Sequence, residues 1–357
     1  MIASLLFLAL SIVAPQDGAS VPTLREEHKK YLKKERAERF RCMENISDRA
    51  KIFTIGSTQA PLKLSWAGET NAIYSLSITS DGENEEHFSL TNRTNAYITN
   101  LEIGRTYRWT VRCLNSEESV TATFMTEDFA PRLLRAGGVS NFRDVGGWKT
   151  STGKCVRQNL IFRSAGLRFS SKNKGGLLGG SVELGARRVT DAGLETLRTD
   201  FKIATDLELR TTQETAGMTT SLLGPNVRWR CIPFVAYDLI DNVVRGREPF
   251  AKIFSLFTKK SNYPILMHCS GGRDRTGTLT FLLNGLLGVC EDDLCKDWEA
   301  SIFSDDGMTF NHGRLERLLS YLHTMPGNNL NEQIESYALG CGITAEEIAA
   351  FRAIMLE

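Results

Sequence analysis

Cys269 and Arg275 stand with five residues between them in His268-Cys269-Ser270-Gly271-Gly272-Arg273-Asp274-Arg275-Thr276-Gly277. That spacing suits the handling of a tetrahedral oxyanion. The glycines let successive backbone N–H groups turn toward one centre, and a helix start beyond them adds partial positive charge. Ser270, Gly271, Gly272 and Arg273 are therefore candidate anion-binding residues. A thiol at the mouth of such a nest, near Arg273 and Arg275, is favoured as thiolate, which makes Cys269 a candidate nucleophile. Arg275 can return across the loop and fork two parallel hydrogen bonds onto a phosphoryl group. Thr276 can donate its hydroxyl to the sulfur and improve it as a leaving group, and His268 is placed to orient the loop rather than to act as a base. A Walker nucleotide loop would require Lys after the second glycine of its Gly-x-x-x-x-Gly frame; Thr278 follows Gly277 here, which excludes it.

The elements around the loop fit this use. Ile265-Leu266-Met267 is a short apolar run, and beyond Thr276 the residues Leu279, Leu282, Leu283, Leu286 and Leu287 recur at helical spacing. The order is strand, loop, helix. From about residue 131 to 357, helical periodicity alternates with short apolar runs, which predicts an α/β domain. Gly175-Gly176-Leu177-Leu178-Gly179-Gly180 has no strand before it and no helix start after it, and reads as a surface insertion rather than a second phosphate cradle.

Residues 51–128 have a different texture. Leu62-Lys63-Leu64-Ser65-Trp66, Tyr74-Ser75-Leu76-Ser77-Ile78 and Tyr107-Arg108-Trp109-Thr110-Val111 alternate with period two between turn-forming residues, which predicts a small all-β sandwich. Residues 21–50 are rich in charge and good helix formers, with Glu26/Lys30 and Glu35/Arg39 one helical turn apart, and read as a solvated helix with an anionic membrane surface as the other use. The apolar run within residues 1–20 is too short to span a bilayer and fits a signal-peptide core, so the expected location is secreted, periplasmic or at the cell surface.

Composition narrows the partners. With 43 Lys and Arg against 42 Asp and Glu the net charge is +1, so no basic footprint for nucleic acid is present. The eight cysteines show no Cys-x-x-Cys pair, which speaks against a zinc site, and if Cys269 stays free an odd number remains. Most of them read as small buried apolar residues.

His-Cys-x-x-Gly-x-x-Arg-Thr-Gly resembles the catalytic loop of the protein tyrosine phosphatase superfamily, and Gly272-Arg273-Asp274-Arg275-Thr276-Gly277 is similar to the Gly-Lys-Asp-Arg-Thr-Gly version of bacterial tyrosine and phosphoinositide phosphatases. Asn141-Phe142-Arg143-Asp144-Val145-Gly146-Gly147 is similar to an Asn-Phe-Arg-Asp-Leu-Gly-Gly signature early in that domain. Phe162-Arg163-Ser164 and Glu208-Leu209-Arg210, with Glu214, resemble later elements. Two departures stand out: Arg273 where the family usually has Lys, and Glu208 where Asp is usual. The resemblance implies a helix-wrapped central sheet over residues 131–357 and a cysteinyl-phosphate intermediate that needs no cofactor and no metal. It points to Asp274 as general acid, with Asp238 or Asp241, about thirty residues before Cys269, as the alternative. Arg143 and Asp144 read either as pocket-lining residues or as a structural pair supporting the loop.

Leu101-x-x-Gly104-x-x-Tyr107-x-Trp109-x-Val111 resembles the end of a fibronectin type III domain, with Tyr107 as its corner tyrosine. The implied function is a phosphomonoesterase acting on phosphotyrosine, with phosphoserine and phosphothreonine as the dual-specificity extension of that reading. A phosphoinositide or inositol phosphate substrate is the second reading, and a surface binding protein with a scaffold phosphatase fold is the third, its sandwich meeting a protein or surface partner.

Overall fold

The computed structural model describes residues 10–44, 58–69, 72–80, 86–91, 93–116, 118–168, 189–234, 247–304 and 312–357. Asp238, Asp241 and the Gly175–Gly180 run lie outside these residues. The chain forms two units: Met1–Arg25 with Gln59–Ala130, and Glu26–Thr58 with Pro131–Glu357.

The first unit is all β among its described residues. Its strands are β1 (Ser11–Ala14), β2 (Ala19–Val21), β3 (Leu62–Ala67), β4 (Ile73–Ser80), β5 (Glu86–Thr91), β6 (Asn95–Ile98), β7 (Thr106–Cys113) and β8 (Ser119–Thr126). They form one sheet in the order β1-β3-β6 and another in the order β2-β8-β7-β4-β5. Period-two alternation sends Tyr107, Trp109 and Val111 inward onto Leu64, Trp66, Tyr74, Leu76 and Phe124, while Arg108 and Arg112 face out. The Tyr107 hydroxyl accepts the Glu102 N–H at 2.8 Å, tying strand to preceding turn.

Two of these strands come from the stretch read as a leader peptide. Ile12 pairs with Trp66 in the antiparallel β1–β3 ladder, and Ala19–Val21 run parallel to Phe124–Thr126. Ser11–Ala14 and Ala19–Val21 are thus edge strands, one on each sheet of the unit, joined by a turn.

The second unit is α/β. Its strands are β9 (Arg143–Asp144), β10 (Ile161–Ala165), β11 (Thr205–Glu208), β12 (Arg228–Cys231) and β13 (Ile265–Cys269), ordered β12-β11-β13-β10-β9. All neighbours are parallel except β9. Its helices are α1 (Glu26–Leu32), α2 (Arg36–Glu44), α3 (Asp191–Thr199), α4 (Arg247–Phe257), α5 (Asp274–Leu286), α6 (Glu291–Glu299), α7 (His312–Leu322), α8 (Leu330–Gly340) and α9 (Ala345–Met355). Every residue of central β13 is buried, as a parallel strand covered on both faces requires. Helix α5 is buried from Thr276 to Leu286. Phe142 and Phe162 each meet Phe201 edge-on beside Leu197 of α3 on one side of the sheet, and α4 packs Phe254 against Phe351 of α9 elsewhere.

The charged segment departs from the solvated helix expected of it. It breaks into α1 and α2, and His28, Lys29 and Arg39 are buried within the second unit. Carboxylates on α6 satisfy Arg39, which no local pattern announces. All eight cysteines are unpaired, but only Cys113, Cys269 and Cys295 are buried, fewer than the apolar reading expects.

Candidate active site

The central strand β13 delivers Cys269 at its C-terminal end, where its neighbour in the parallel ladder is Ala165 of β10. The chain then turns through Ser270–Arg273 into α5, whose first residue is Asp274. Gly272 makes the turn at φ +64°, and a Cβ there would collide with the Ser164 carbonyl. Only glycine combines that backbone with that approach.

A frame of side chains holds the loop from outside. Asn141 Nδ2 donates to the Gly271 carbonyl at 3.0 Å and Arg163 Nη2 to the Gly272 carbonyl at 2.7 Å. In planar trans peptides the N–H points opposite to the C=O, so pinning these carbonyls outward turns the following amides toward the loop interior. Arg163 also pairs with Asp297, whose other carboxylate oxygen takes Arg143 Nε at 3.0 Å. Arg143 donates further to the Asp297 carbonyl at 2.7 Å and Ser301 Oγ at 3.2 Å. Burial pushes the Arg163 guanidinium down to about 10, with Arg143 adding to the fall and Asp297 opposing it, so it stays a cation at neutral pH. Burial works against ionised Asp297, but the two arginines prevail and hold its carboxyl below the usual range.

Arg143 and Asp144, read as candidate pocket-lining residues, are both buried, and only Arg143 belongs to this frame. Arg143 faces Asp297, while Asp144 accepts Arg132 at 2.8 Å and the N–H groups of Gly146 and Asn159. They do not form the Arg-Asp pair considered from sequence, since adjacent residues of a strand point to opposite faces.

Arg275 reaches back across the loop to Ser270 and pairs with Glu214. Its Nη1 and Nη2 each donate to one oxygen of Glu214 at 2.8 Å, and Nη2 also reaches Ser270 Oγ at 3.0 Å. Burial opposes ionisation of Glu214, yet hydrogen bonds from Arg275 and the Thr211 N–H hold its carboxyl down at about 2. Asp274 lies at the start of α5 and accepts Arg314 Nη1 at 2.6 Å. Arg273 is itself buried, at 6% exposure. The Thr276 hydroxyl is buried with no hydrogen-bond partner, so the bond to the sulfur expected from sequence is not made.

One residue before Cys269, His268 is clamped between carboxylates. Its Nε2 lies 2.7 Å from Asp206 Oδ1 and its Nδ1 3.5 Å from Glu208 Oε2. Burial alone would lower its pKa; Glu208 and Asp206 outweigh that and raise it above the ordinary imidazole value. Glu208, one methylene longer than the Asp usual there, is gripped by Arg210 through Nε at 2.9 Å and Nη2 at 2.6 Å. The His268 ring is thus held by carboxylates of the neighbouring strand.

Sequence reasoning missed Asp206, Asp297 and Arg314 as parts of the site, and noted Glu214 only as part of a motif. Asp297 lies 154 residues from its partner Arg143, in a helix whose local sequence gives no sign of it.

A cysteine and an arginine at the two ends of a framed anion loop, at the carboxyl edge of a parallel sheet, define a phosphate-handling α/β domain. The chain belongs to the tyrosine phosphatase family, whose model matches residues 134–180 and 184–357. A Cupriavidus necator protein named as a putative tyrosine-protein phosphatase is 27% identical over 205 residues. The match covers 50% of this chain and 66% of that relative, so the chain spans just under two thirds of the relative's length. The crystal structure of the core catalytic domain of the S. cerevisiae PP-IP phosphatase SIW14, in complex with citrate, aligns over 46% of this chain and 90% of that domain at 16% identity and a TM-score of 0.27.

Proposed function

We propose that the chain is a cysteine-dependent phosphomonoesterase acting on phosphotyrosine in proteins. The observation that carries this reading is the pairing of Cys269, at the end of buried β13, with an Arg275 whose guanidinium plane is fixed by Glu214 across the loop. The Cys269 thiolate attacks phosphorus in line, forming the P–S bond as the P–O ester bond breaks, and the leaving oxygen takes a proton. Water then attacks the cysteinyl phosphate, the P–S bond breaks, and phosphate leaves with the thiolate restored. Loop amides and Arg275 carry the charge spread over the equatorial oxygens throughout. Asp274 is the proton donor of this scheme, and the water's proton returns to it in the second step.

A second reading, an inositide or inositol phosphate ester, is favoured by Arg314 beside Asp274 at the loop, a cation suited to an ester carrying further anionic groups. The β unit is read as fibronectin type III-like, supported by the Tyr107 hydroxyl bond to the backbone five residues upstream.

The test is phosphate release from a phosphotyrosine peptide, a phosphoinositide set and inositol hexakisphosphate, with Cys269→Ser and chelator controls. Metal-independent turnover lost in Cys269→Ser supports the mechanism, and turnover that survives it sinks the mechanism. The preferred ester decides between the two substrate readings.

A further inference from the structure

The family match begins at residue 134, yet α1 and α2, far upstream, belong to the same unit as the loop. Arg39 of α2 is fully buried. It donates Nε to Glu299 Oε2 at 2.5 Å, Nη2 to Asp292 Oδ1 at 2.7 Å and Nη1 to the Lys34 carbonyl at 2.7 Å. Beside it the His28 ring lies 4.2 Å from that of Phe303, and Tyr31 meets the same ring edge-on at 5.8 Å. The second Glu299 oxygen is buried with no hydrogen bond, and burial pushes this carboxyl up to about 7 against the pull of Arg39.

The residues that receive α1 and α2 also hold the loop. Between Glu299 and Phe303, which face the N-terminal helices, lies Ser301, which accepts Arg143 and, at 3.4 Å, Asn141. Two residues before Glu299 is Asp297, which fixes Arg143 and Arg163. Asn141 and Arg163 are the donors on the Gly271 and Gly272 carbonyls. One short stretch of chain therefore has the N-terminal helices on one side and the loop's frame on the other.

We propose that the N-terminal helical segment is a buttress of the phosphate loop, and that Arg39 is a positioning residue acting through Glu299 on the Asp297 and Ser301 contacts that shape the anion cradle. This rests on the phosphatase reading only in taking the loop to bind a phosphate-like anion. Loss of Arg39 leaves a buried carboxylate without its counter-ion. The end of α6 must then shift or admit water, and shifts well under an ångström reach the reacting geometry.

The test uses the whole chain. Arg39→Met, Arg39→Lys and Glu299→Gln are compared with Arg198→Met, which removes the Arg198 bonds to Glu195 and the Leu223 carbonyl and does not touch the seam. Two quantities are read: the dissociation constant for inorganic phosphate by calorimetry, and amide hydrogen exchange at Gly271–Arg273. Arg39→Met is expected to weaken phosphate binding about tenfold and to speed that exchange comparably, with Glu299→Gln moving both the same way and Arg39→Lys lying between. Phosphate binding and exchange that stay at wild-type values, or change no more than in Arg198→Met at equal loss of Tm, overturn the proposal. Should Arg39→Met fail to fold, Glu299→Gln carries the same comparison. A wild-type chain that binds no phosphate defeats the phosphatase reading, and loop exchange still decides the buttress.

Discussion

Arg275 and Glu214 meet as a two-pronged pair, each nitrogen 2.8 Å from its own oxygen, 61 residues apart in sequence. The pair fixes the plane of the Arg275 guanidinium, the plane in which the proposed reaction would present it to a phosphoryl group. Replacing Glu214 by Gln keeps the shape but loses the charge and one acceptor. The expected result is a fall in kcat/KM of about tenfold to a hundredfold, about 1.4 to 2.7 kcal/mol of transition-state stabilisation. Steady-state kinetics on a phosphotyrosine peptide checks it, and unchanged kcat/KM would show that Arg275 needs no such guide.

The same pair makes a pH prediction. A carboxylate depressed in the folded state contributes stability that is present above its ordinary value and lost as pH falls through its folded value. For Glu214 that window runs from the ordinary carboxylate range down to about 2. Glu214 should therefore add no limb to the kcat/KM profile between pH 5 and 8, and the profiles of wild type and Glu214→Gln should share their shape in that range.

His268 carries the opposite sign. Its raised pKa means a contribution fully present below the ordinary imidazole value and lost as pH rises through the higher folded value. Denaturant melts should lose stability above neutral pH, and His268→Gln should be less stable throughout yet flatter in that window. An equal slope in the variant would clear His268 of the effect.

Asp274 and Arg314 should separate by leaving group. A good leaving group such as p-nitrophenolate departs without a proton, whereas phenolate benefits from one. Asp274→Asn is expected to lower kcat/KM for phenyl phosphate about a hundredfold and for p-nitrophenyl phosphate much less. Arg314→Gln, which frees the carboxylate from its partner, should lower the phenyl phosphate value about tenfold. Equal losses on both esters would assign these residues to binding rather than proton transfer.

Gly272→Ala brings both a left-handed backbone and a clash with the Ser164 carbonyl. A loss of about 2 kcal/mol or more is expected, about 4 to 8 °C in Tm for a unit of this size, with turnover abolished.

The loop after β13 was legible because its information is local: Cys269, the glycines and Arg275 lie within seven residues, and the strand and helix beside them have clear periods. The frame was not. Glu299 lies 260 residues from Arg39 and Asp297 154 from Arg143, and a buried ion pair at such separation leaves no periodic trace in either segment. A short apolar run fits both a leader core and an edge strand, and the pairing of Ser11–Ala14 with Leu62–Ala67 is a long-range contact that the run's own pattern does not show. The charged helices misled for a related reason. Composition reports how many charges a segment carries, and burial depends on whether counter-ions await them elsewhere.

The chain passes between its two units three times, at residues 25–26, 58–59 and 130–131, so neither unit is one unbroken stretch. During synthesis, α1 and α2 leave the ribosome some 250 residues before the helix carrying Asp292 and Glu299, and Arg39 has no counter-ion there until that helix emerges. The β unit, complete by Ala130, can close while these first helices wait. Assembly of the phosphate-handling unit therefore joins its earliest segment to one made much later, and a nascent chain halted before residue 291 should leave α1 and α2 open to protease.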